Sequence, residues 1–346
     1  MSNSLKLFLE NQLEFFNQHK RVAVFGAGSG GQQVIEWLRK SNITVCRVYD
    51  NDPTKHGIPV CGVEVFTPNK QIINDYPVVI ASTWNKEIKQ QLSELACTLF
   101  IDASITGLSN TPITSDWLTQ LKWLEEQLVD DDSKLVLEDI AHYLEQPEKG
   151  MPKAKYEQYQ HPKLHLIKNA TIIDGGAFDA LSSINLHHHY GLETKVTAFE
   201  PDPGNVLKCK QLIANYEHKE KISLIEKGVW DKEETLYFNS SNSVHGASSS
   251  ANSQGDIQVP VTGIDIALKG HKVHMIKLDV EGAELKALQG AKKTILSDKP
   301  ILAICLYHYF DDLWILPKYI KELNPKYRFY IGHHTNNWFE TVLYAI

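Results

Sequence analysis

This sequence of 346 residues has few cysteines, none of them close enough in sequence to form a motif, and it has no long apolar runs. The five cysteines are odd in number and widely spaced, with no CxxC pair, which argues against a disulfide framework or a zinc site. They are Cys46, Cys61, Cys97, Cys209 and Cys305. No apolar run approaches the roughly 20 residues that cross a bilayer, and charged residues interrupt Leu5–His19, as in an amphipathic helix rather than a signal peptide. We therefore expect a soluble cytoplasmic protein with reduced thiols and no membrane span.

A surplus of positive charge is also missing. Lys and Arg total 35 against 42 Asp and Glu, a net charge of −7 with the 15 histidines neutral. Because nucleic-acid affinity comes from cations placed on phosphates, we expect no nucleic-acid partner. The composition, 42% apolar and 22% charged, is that of a globular protein, and the length predicts two domains.

A first α/β unit is predicted within residues 1–108. Short apolar runs alternate with helical patterns such as Gln32–Lys40, and this alternation predicts a parallel sheet. The expected strands are Val22–Phe25, Thr44–Tyr49, Val78–Ser82 and Leu99–Asp102. This pattern is typical of a small Rossmann-like nucleotide-binding domain.

The turn after the first predicted strand carries a GxGxxG pattern. Gly26, Gly28 and Gly31 lie between strand and helix, and Asp50 follows 22 residues after Gly28 at the end of the next strand. Bare backbone and a helix N-terminus suit a phosphate, and the acid suits a ribose hydroxyl, so these four residues are candidates for a nucleotide site. The alternative is that the glycines only make a tight turn. The unit has too few strands for a full dehydrogenase domain.

Residues 109–160 break the alternation and predict a helical linker. Asp116–Leu128 and Ser133–Leu144 have amphipathic patterns, and the prolines and glycine of Gln146–Pro152 end the second helix. Three rings beyond them either anchor a loop or line a substrate entrance, namely Tyr156, Tyr159 and His161.

A second, mostly parallel sheet is predicted in residues 161–346. Its expected strands are Thr171–Asp174, Val196–Glu200, Ile222–Glu226, Met275–Asp279, Ile301–His308, Arg328–His333 and Glu340–Ile346. Its expected helices are Ser182–Tyr190, Pro203–Tyr216, Ala283–Leu296 and Leu313–Leu323. The last two strands are joined by too few residues for a crossover, so they predict an antiparallel hairpin. A parallel sheet ending in a hairpin is expected of the Rossmann-like methyltransferase fold.

Acidic residues follow three strands of this second sheet, at the edge where open α/β sheets bind ligands. They are Asp174, Glu200, Asp279 and Glu281. Carboxylates repel a pyrophosphate but suit the sulfonium and ammonium of S-adenosylmethionine, and an acid at the position of Glu200 can accept hydrogen bonds from a ribose diol. Each acid by itself could instead cap a helix, as Glu284 is expected to do. The candidate cofactor residues are Asp174, Gly175, Gly176, Phe178, Glu200, Pro201, Asp202, Gly228 and Trp230.

The second half of the chain, from about His161, resembles the FkbM-like methyltransferases. The resemblance rests on Ile173–Ala177, Phe199–Pro203, Val261–Asp265 and above all Ile276–Glu284 followed by Leu288–Ala291. It implies S-adenosylmethionine-dependent O-methylation of sugars, glycans or natural-product hydroxyls. The sequence departs from many such enzymes at Asp179-Ala180, where they carry a second glycine. The first unit more loosely resembles small nucleotide-binding domains attached to sugar-modifying enzymes of surface-polysaccharide pathways.

The base that such a reaction needs is expected near the same strand ends. A sugar hydroxyl is a poor nucleophile and requires a base or a cation beside the developing alkoxide. His308 is the favoured base because the pKa of a histidine is suited to proton transfer near neutrality, with Glu281 and Asp279 next. His308 could also be an ordinary strand-end residue, and Asp279, Glu281 and His308 could instead hold a divalent metal.

Other interpretations stay open on sequence grounds. The Ser-, Asn- and Gly-rich stretch of residues 239–255, with His245, is either a lid over the acceptor or a surface insertion. The function is expected to be O-methylation of a sugar, sugar nucleotide or glycan, with homo-oligomers as a further expectation. The alternatives are an NAD(P)-dependent oxidoreductase and a non-catalytic nucleotide-sugar-binding protein.

Overall fold

The computed structural model describes residues 3–238 and 257–346, and the chain divides into two compact units. The first unit comprises Met1–Glu126, Leu137–Met151 and Tyr309–Trp314. The second comprises Gln127–Val136, Pro152–His308 and Ile315–Ile346. Each unit contains its own α/β sheet, as the length and the two runs of alternation predict.

The first unit is built on a five-stranded parallel sheet. Its strands are β1 (Arg21–Phe25), β2 (Thr44–Tyr49), β3 (Val65–Phe66), β4 (Val78–Ile80) and β5 (Phe100–Asp102), in the order β3-β2-β1-β4-β5. Three helices follow the same stretch of chain, α1 (Asn3–Gln18), α2 (Ser29–Lys40) and α3 (Asn85–Glu94). The four predicted strands are confirmed, and the two-residue β3 is too short to leave a sequence pattern.

Two more helices occupy the predicted linker. They are α4 (Asp116–Gln127) and α5 (Asp131–Glu145). In α4, the buried ring of Trp117 packs within the first unit against Phe310 and Trp314, with ring centroids 5.4 and 5.2 Å away. Residues 109–126 thus belong to the first compact unit, whereas residues 127–136 and 152–160 belong to the second.

The second unit is built on a seven-stranded sheet. Its strands are β6 (Thr171–Gly175), β7 (Lys195–Phe199), β8 (Ile222–Ile225), β12 (Met275–Leu278), β13 (Ile301–Cys305), β14 (Phe329–His333) and β15 (Thr341–Ala345). Their order is β14-β15-β13-β12-β6-β7-β8, and β15 pairs antiparallel with both of its neighbours. The predicted mostly parallel sheet with a C-terminal hairpin is confirmed. Because β6 lies between β7 and β12, the strand order reverses at β6, which is where such sheets bind ligands.

A small second sheet in this unit was not predicted. It contains β9 (Gly228–Val229), β10 (Glu234–Phe238) and β11 (Ile257–Thr262), in the order β10-β11-β9. β10 and β11 are far apart in sequence, so no short turn signals their pairing. The stretch 239–255 with His245, for which a lid or an insertion is predicted, lies outside the described residues.

The helices of the second unit follow the expected order with one break. They are α6 (Leu181–Tyr190), α7 (Pro203–Ala214), α8 (Ile264–Leu268), α9 (Glu284–Gly290), α10 (Lys292–Asp298) and α11 (Asp312–Leu323), the last crossing the boundary between units. The single helix expected over 283–296 is wrong, because the chain breaks at Ala291. A Cβ at Gly290 would overlap the carbonyl oxygen of Trp230, so this helix end packs on backbone.

Candidate active site

The glycine turn after β6 is held by a buried ion pair. The Nζ of Lys277 on β12 lies 2.9 Å from Oδ1 of Asp174 and donates to the carbonyl oxygen of Gly176 at 2.7 Å. Asp174 is fully buried, and the hydroxyls of Ser182 and Ser183 also donate to it, at 2.7 and 2.6 Å. Asp174 therefore offers no free negative charge to a cationic ligand, contrary to expectation.

Lys277 is a site residue that the sequence analysis did not single out. Burial lowers the pKa of its ammonium, but Asp174 and Asp279 outweigh burial and raise that pKa above its ordinary value. Its only sequence signal was a lysine inside an otherwise apolar strand. A buried cation between two carboxylates fixes the ends of β6 and β12 together.

The two glycines of the turn are required by backbone packing. Gly176 has a φ of +80°, and a Cβ there would overlap the carbonyl oxygen of Asp279. A Cβ at Gly175 would lie 2.7 Å from Cδ2 of Leu278. We expected glycine here to admit a ligand, whereas the structure shows that it admits the end of β12.

Glu200 lies just beyond β7 and organises the neighbouring backbone. Its Oε2 accepts the N–H of Phe178 and its Oε1 accepts the N–H of Asp202, both at 2.9 Å. The side chain is 6% exposed, and burial raises its pKa although these hydrogen bonds oppose the rise. The side-chain amide of Asn205 also donates to Oε1, at 3.5 Å, so Oε2 is the oxygen that retains a lone pair for a hydroxyl.

The other predicted cofactor residues surround this carboxylate. Asp202 caps α7, because its Oδ1 accepts the N–H of Asn205 at 2.8 Å, and Pro201 stands between it and Glu200. Phe178 is 59% exposed, with the Nζ of Lys208 4.8 Å from its ring centroid.

The remaining two predicted cofactor residues are in and just after β9. Gly228 pairs with Val261 of β11, and a Cβ on it would lie 3.2 Å from Cγ1 of that residue. The indole N–H of Trp230 donates to Glu234 at 2.9 Å, and Lys286 lies 5.7 Å from the ring centroid. The polar edge of Trp230 is thus already used.

Asp279, just beyond β12, is the centre of a polar network. The hydroxyl of Tyr307 donates to its Oδ1 at 2.7 Å and that of Tyr159 to its Oδ2 at 3.0 Å. Burial raises the pKa of Asp279, but Lys277, His308 and the two hydroxyls lower it overall. Glu340 accepts from Gln158, lies 3.5 Å from the Tyr307 hydroxyl, and has a pKa raised by burial and by Asp279. Sequence reasoning missed Tyr307, Glu340 and Gln158.

His308 lies three residues beyond the end of β13, not within the strand as expected. Its Nδ1 is 3.0 Å from Oε1 of Glu284, and its Nε2 is 3.5 Å from Oδ1 of Asp279 and 3.6 Å from Oε2 of Glu281. Burial lowers its pKa, but these three carboxylates raise it to about 10. The expected titration near neutrality is therefore wrong, and His308 carries a proton at neutral pH.

Left-handed backbone occurs at several positions near these carboxylates. Among the seven residues of the described part of this unit, other than glycine, that have a positive φ are Tyr159, Phe178, Ala180, Glu281 and Glu340, with φ between 54° and 71°. Such conformations cost about 1–3 kcal/mol each and persist where the surrounding structure fixes them, as in ligand sites. Four of the five flank the carboxylates described above or belong to them.

A cation could be bound by a set different from the predicted one. Donor atoms of Asp279, Glu284 and His308 all lie within 4.8 Å of one another, as do those of Asp279, Cys305 and Glu340. Glu284 takes the place that the sequence analysis gave to Glu281. The other two strand-end histidines, His333 and His334, bond instead to Thr341 and Tyr344, at 2.8 and 3.0 Å.

The GxGxxG turn of the first unit is tightly packed on itself. A Cβ on Gly26 would meet the carbonyl oxygen of Ala81, and one on Gly31 would overlap the carbonyl of Gly26, whereas Gly28 faces open space. Oδ2 of Asp50 accepts the N–H of Ala27 at 2.7 Å and lies 3.2 Å from Nζ of Lys55. Two of the glycines are thus explained by the turn itself, and Asp50 stabilises that turn.

Two family models match parts of the chain. The model of the methyltransferase FkbM domain matches residues 174–336, and that of the C2185-like N-terminal family matches residues 18–98. The search of curated proteins found no match. Among the described residues, none of the helices combines the length and apolar character needed to span a bilayer.

A solved methyltransferase structure supports the fold, and a more distant match is weaker. Methyltransferase FkbM from Methylobacillus flagellatus KT is 19% identical, with a TM-score of 0.58 over 100% of this chain and 94% of its own. Aeropyrum pernix fibrillarin, solved with natively bound S-adenosyl-L-methionine, is 10% identical, with a TM-score of 0.35 over 53% of this chain and 69% of its own. Residues 174–336 are therefore similar to the methyltransferase FkbM domain, residues 18–98 are similar to the C2185-like N-terminal family, and the chain shares the fold of the solved FkbM methyltransferase.

Proposed function

We propose that the chain is an S-adenosylmethionine-dependent O-methyltransferase that acts on a hydroxyl of a sugar, a sugar nucleotide or a surface glycan. The FkbM domain supports methyl transfer, and the donor and the acceptor are the parts proposed here. All five cysteines are free thiols, which supports the expected cytoplasmic setting.

The observation that carries the proposal is the position of Glu200. Its carboxylate stands at the end of β7, next to the strand where the sheet order reverses, and two backbone N–H groups fix both of its oxygens. This is the place where nucleotide-binding sheets hold a ribose diol. The residues present therefore fit the adenosine part of the donor, and Gly228 and Trp230 lie on the following stretch of chain.

The carboxylates of Asp279 and Glu281 fit the cationic part of the donor. Asp279 keeps its negative charge, since its pKa is lowered, and Glu281 is 60% exposed at its side chain. S-adenosylmethionine supplies, when bound, a methyl group on a positively charged sulfur. Because this is a displacement at carbon, the main task of the protein is to hold the acceptor oxygen in line with that methyl group.

The acceptor hydroxyl must lose a proton as the new bond forms. Glu281 is the exposed carboxylate of the cluster and can accept that proton, while the positive charge of His308 stabilises the developing alkoxide. We therefore assign His308 an electrostatic role rather than that of the neutral base.

A hydroxyl-rich acceptor suits the remaining polar groups of the cluster. The hydroxyls of Tyr159 and Tyr307, with the carboxylate of Glu340, form a continuous hydrogen-bonding set around Asp279. Such a set can exchange hydrogen bonds with a sugar ring. The open side of Gly28 in the first unit supports a second site for a nucleotide part, at Gly26, Gly28, Gly31 and Asp50.

Calorimetry with S-adenosylmethionine tests the donor assignment. The wild type should bind it, and Glu200→Ala should weaken binding by about a hundredfold, since each lost hydrogen bond to a charged group is worth about 1.5–3 kcal/mol. Glu226→Gln is the matched control, because Glu226 is an exposed acid just beyond β8, paired with Lys210 at 2.6 Å.

Two further titrations, with NADH and with UDP-sugars, decide between the alternatives. Binding of NADH with no binding of S-adenosylmethionine would favour an oxidoreductase. Tight UDP-sugar binding without methyl transfer to any sugar acceptor would favour a non-catalytic protein.

A further inference from the structure

We propose that Asp279, Glu284 and His308 form a binding site for a divalent cation beside the acceptor. The role of the cation in activating the acceptor rests on the proposed function, whereas the existence of the cation site is argued from the geometry of its three ligands. Three separate elements bring the donors together, the end of β12, the first residue of α9 and the stretch after β13. Their donor atoms lie within 4.8 Å of one another.

The second observation is that this cluster contains a buried polar atom without a hydrogen bond. Glu284 is 1% exposed, and its Oε2 makes no hydrogen bond among the described residues. The ring nitrogens of His308 both face carboxylate oxygens of the cluster, at 3.0–3.6 Å. Buried polar atoms are nearly always bonded, so the unbonded carboxylate oxygen of Glu284, beside an imidazole and two further carboxylates, points to a ligand there.

The charge of the cluster points to the same kind of ligand. Three carboxylates, those of Asp279, Glu281 and Glu284, surround a single imidazole. A divalent cation would be attracted by these carboxylates, of which Glu284 is buried and Glu281 is exposed, and its charge would add to that of Lys277 near Asp279.

The outer contacts also fit a metal site. Tyr307 and Tyr159 each donate to one oxygen of Asp279, which fixes the carboxylate while leaving a lone pair on each oxygen. The other oxygen of Glu284 accepts the N–H of Val280 at 2.8 Å. Hydrogen bonds of this kind orient metal ligands, and two carboxylates with one imidazole suit Mn²⁺, Mg²⁺ or Zn²⁺.

Such a cation would stand where the acceptor hydroxyl must be activated. It would take the place of the imidazole proton as the positive charge there, and it would lower the pKa of a bound hydroxyl. The acceptor class then becomes one whose oxygen can reach the cation, such as a sugar with neighbouring hydroxyls.

Electron paramagnetic resonance with Mn²⁺ tests the site without any turnover. The full chain, freed of metal by chelation and dialysis, is titrated with Mn²⁺ in the absence of methyl donor. We expect one site that is lost or weakened at least about tenfold in Glu284→Gln and in His308→Asn. Glu226→Gln is the control for removing a distant carboxylate, and Glu281→Gln separates the two candidate ligand sets, since this exposed acid is outside the proposed trio.

The Mn²⁺ titration can refute the proposed cation site. The proposal is overturned if Glu284→Gln and His308→Asn bind Mn²⁺ as the wild type does, or if Glu281→Gln loses the site while Glu284→Gln keeps it. Retained S-adenosylmethionine binding by Glu284→Gln and His308→Asn shows that the variants are folded. A wild type that binds Mn²⁺ but no S-adenosylmethionine would refute the proposed function and leave the cation site standing.

Discussion

At the scale of single residues, the carboxylates of the second unit differ in what balances them. Asp174 is paired with Lys277, Glu200 is held by backbone N–H groups, and Asp279 is held by two tyrosine hydroxyls. Their sequence contexts are alike, since each follows or ends an apolar strand. The partner of each acid therefore decides whether its charge is available to a ligand, and for Asp174 and Asp279 that partner lies 28 to 120 positions away in the sequence.

Replacing Lys277 by methionine should destabilise the protein strongly. The change leaves Asp174 buried without its counter-charge, and breaking one side of such a pair costs about 3–5 kcal/mol. The free energy of unfolding, measured by urea denaturation, should fall by that amount. The double variant Asp174→Asn with Lys277→Met should recover part of the loss, because no unpaired charge remains.

A Lys277→Met variant as stable as the wild type would show that the ion pair contributes little. The exposed pair Lys227–Glu233 supplies the comparison, and Lys227→Met should change stability by less than about 1 kcal/mol.

At the scale of elements, the hairpin of β14 and β15 is buried along its whole length. His333 is the last residue of β14 and is 1% exposed, and His334 follows it. Burial lowers the pKa of both to about 4, from an ordinary value of 6.5. These histidines are neutral in the folded protein, and the unfolded chain takes up their protons first.

Stability should therefore fall as the pH falls from 6.5 towards 4. The folded state binds fewer protons than the unfolded state in this window, so the stabilisation present above pH 6.5 is lost progressively. For His333 the shift corresponds to about 3 kcal/mol. Urea denaturation between pH 7 and pH 5 should show a shallower decline in His333→Asn than in the wild type.

His188, an exposed histidine of α6, provides the control for this experiment. His188→Asn should follow the wild-type curve. An equal slope in His333→Asn and the wild type would mean that the burial of His333 does not contribute to the acid sensitivity.

At the scale of the whole molecule, the two units have separate family matches and separate candidate sites. The FkbM match covers 174–336, which apart from Tyr309–Trp314 belong to the second unit, and the C2185-like match lies in the first. A ligand that binds one unit should stabilise that unit by mass action, by about 2.7 kcal/mol at a hundred times its Kd.

Hydrogen exchange with and without S-adenosylmethionine should show this separation. We expect added protection at 174–178, 200–202 and 279–284, and none at 26–31 of the first unit. The protection should be absent in Glu200→Ala under the same conditions. Protection of the Gly26–Gly31 turn alone would place the donor in the wrong unit and contradict the assignment.

The order of the main strands of the two large sheets and of most helices was determined by the sequence itself, because buried parallel strands are continuous apolar runs and helices have a 3.6-residue period. The motif of Ile276–Glu284 and the acids at the strand ends are also short sequence patterns, so they were found without a structure. The pairing of Lys277 with Asp174, the three carboxylates around His308, and the roles of Tyr307 and Glu340 were decided by tertiary structure alone. The physical reason is that a charge's environment depends on residues up to about a hundred positions away, which local patterns do not encode.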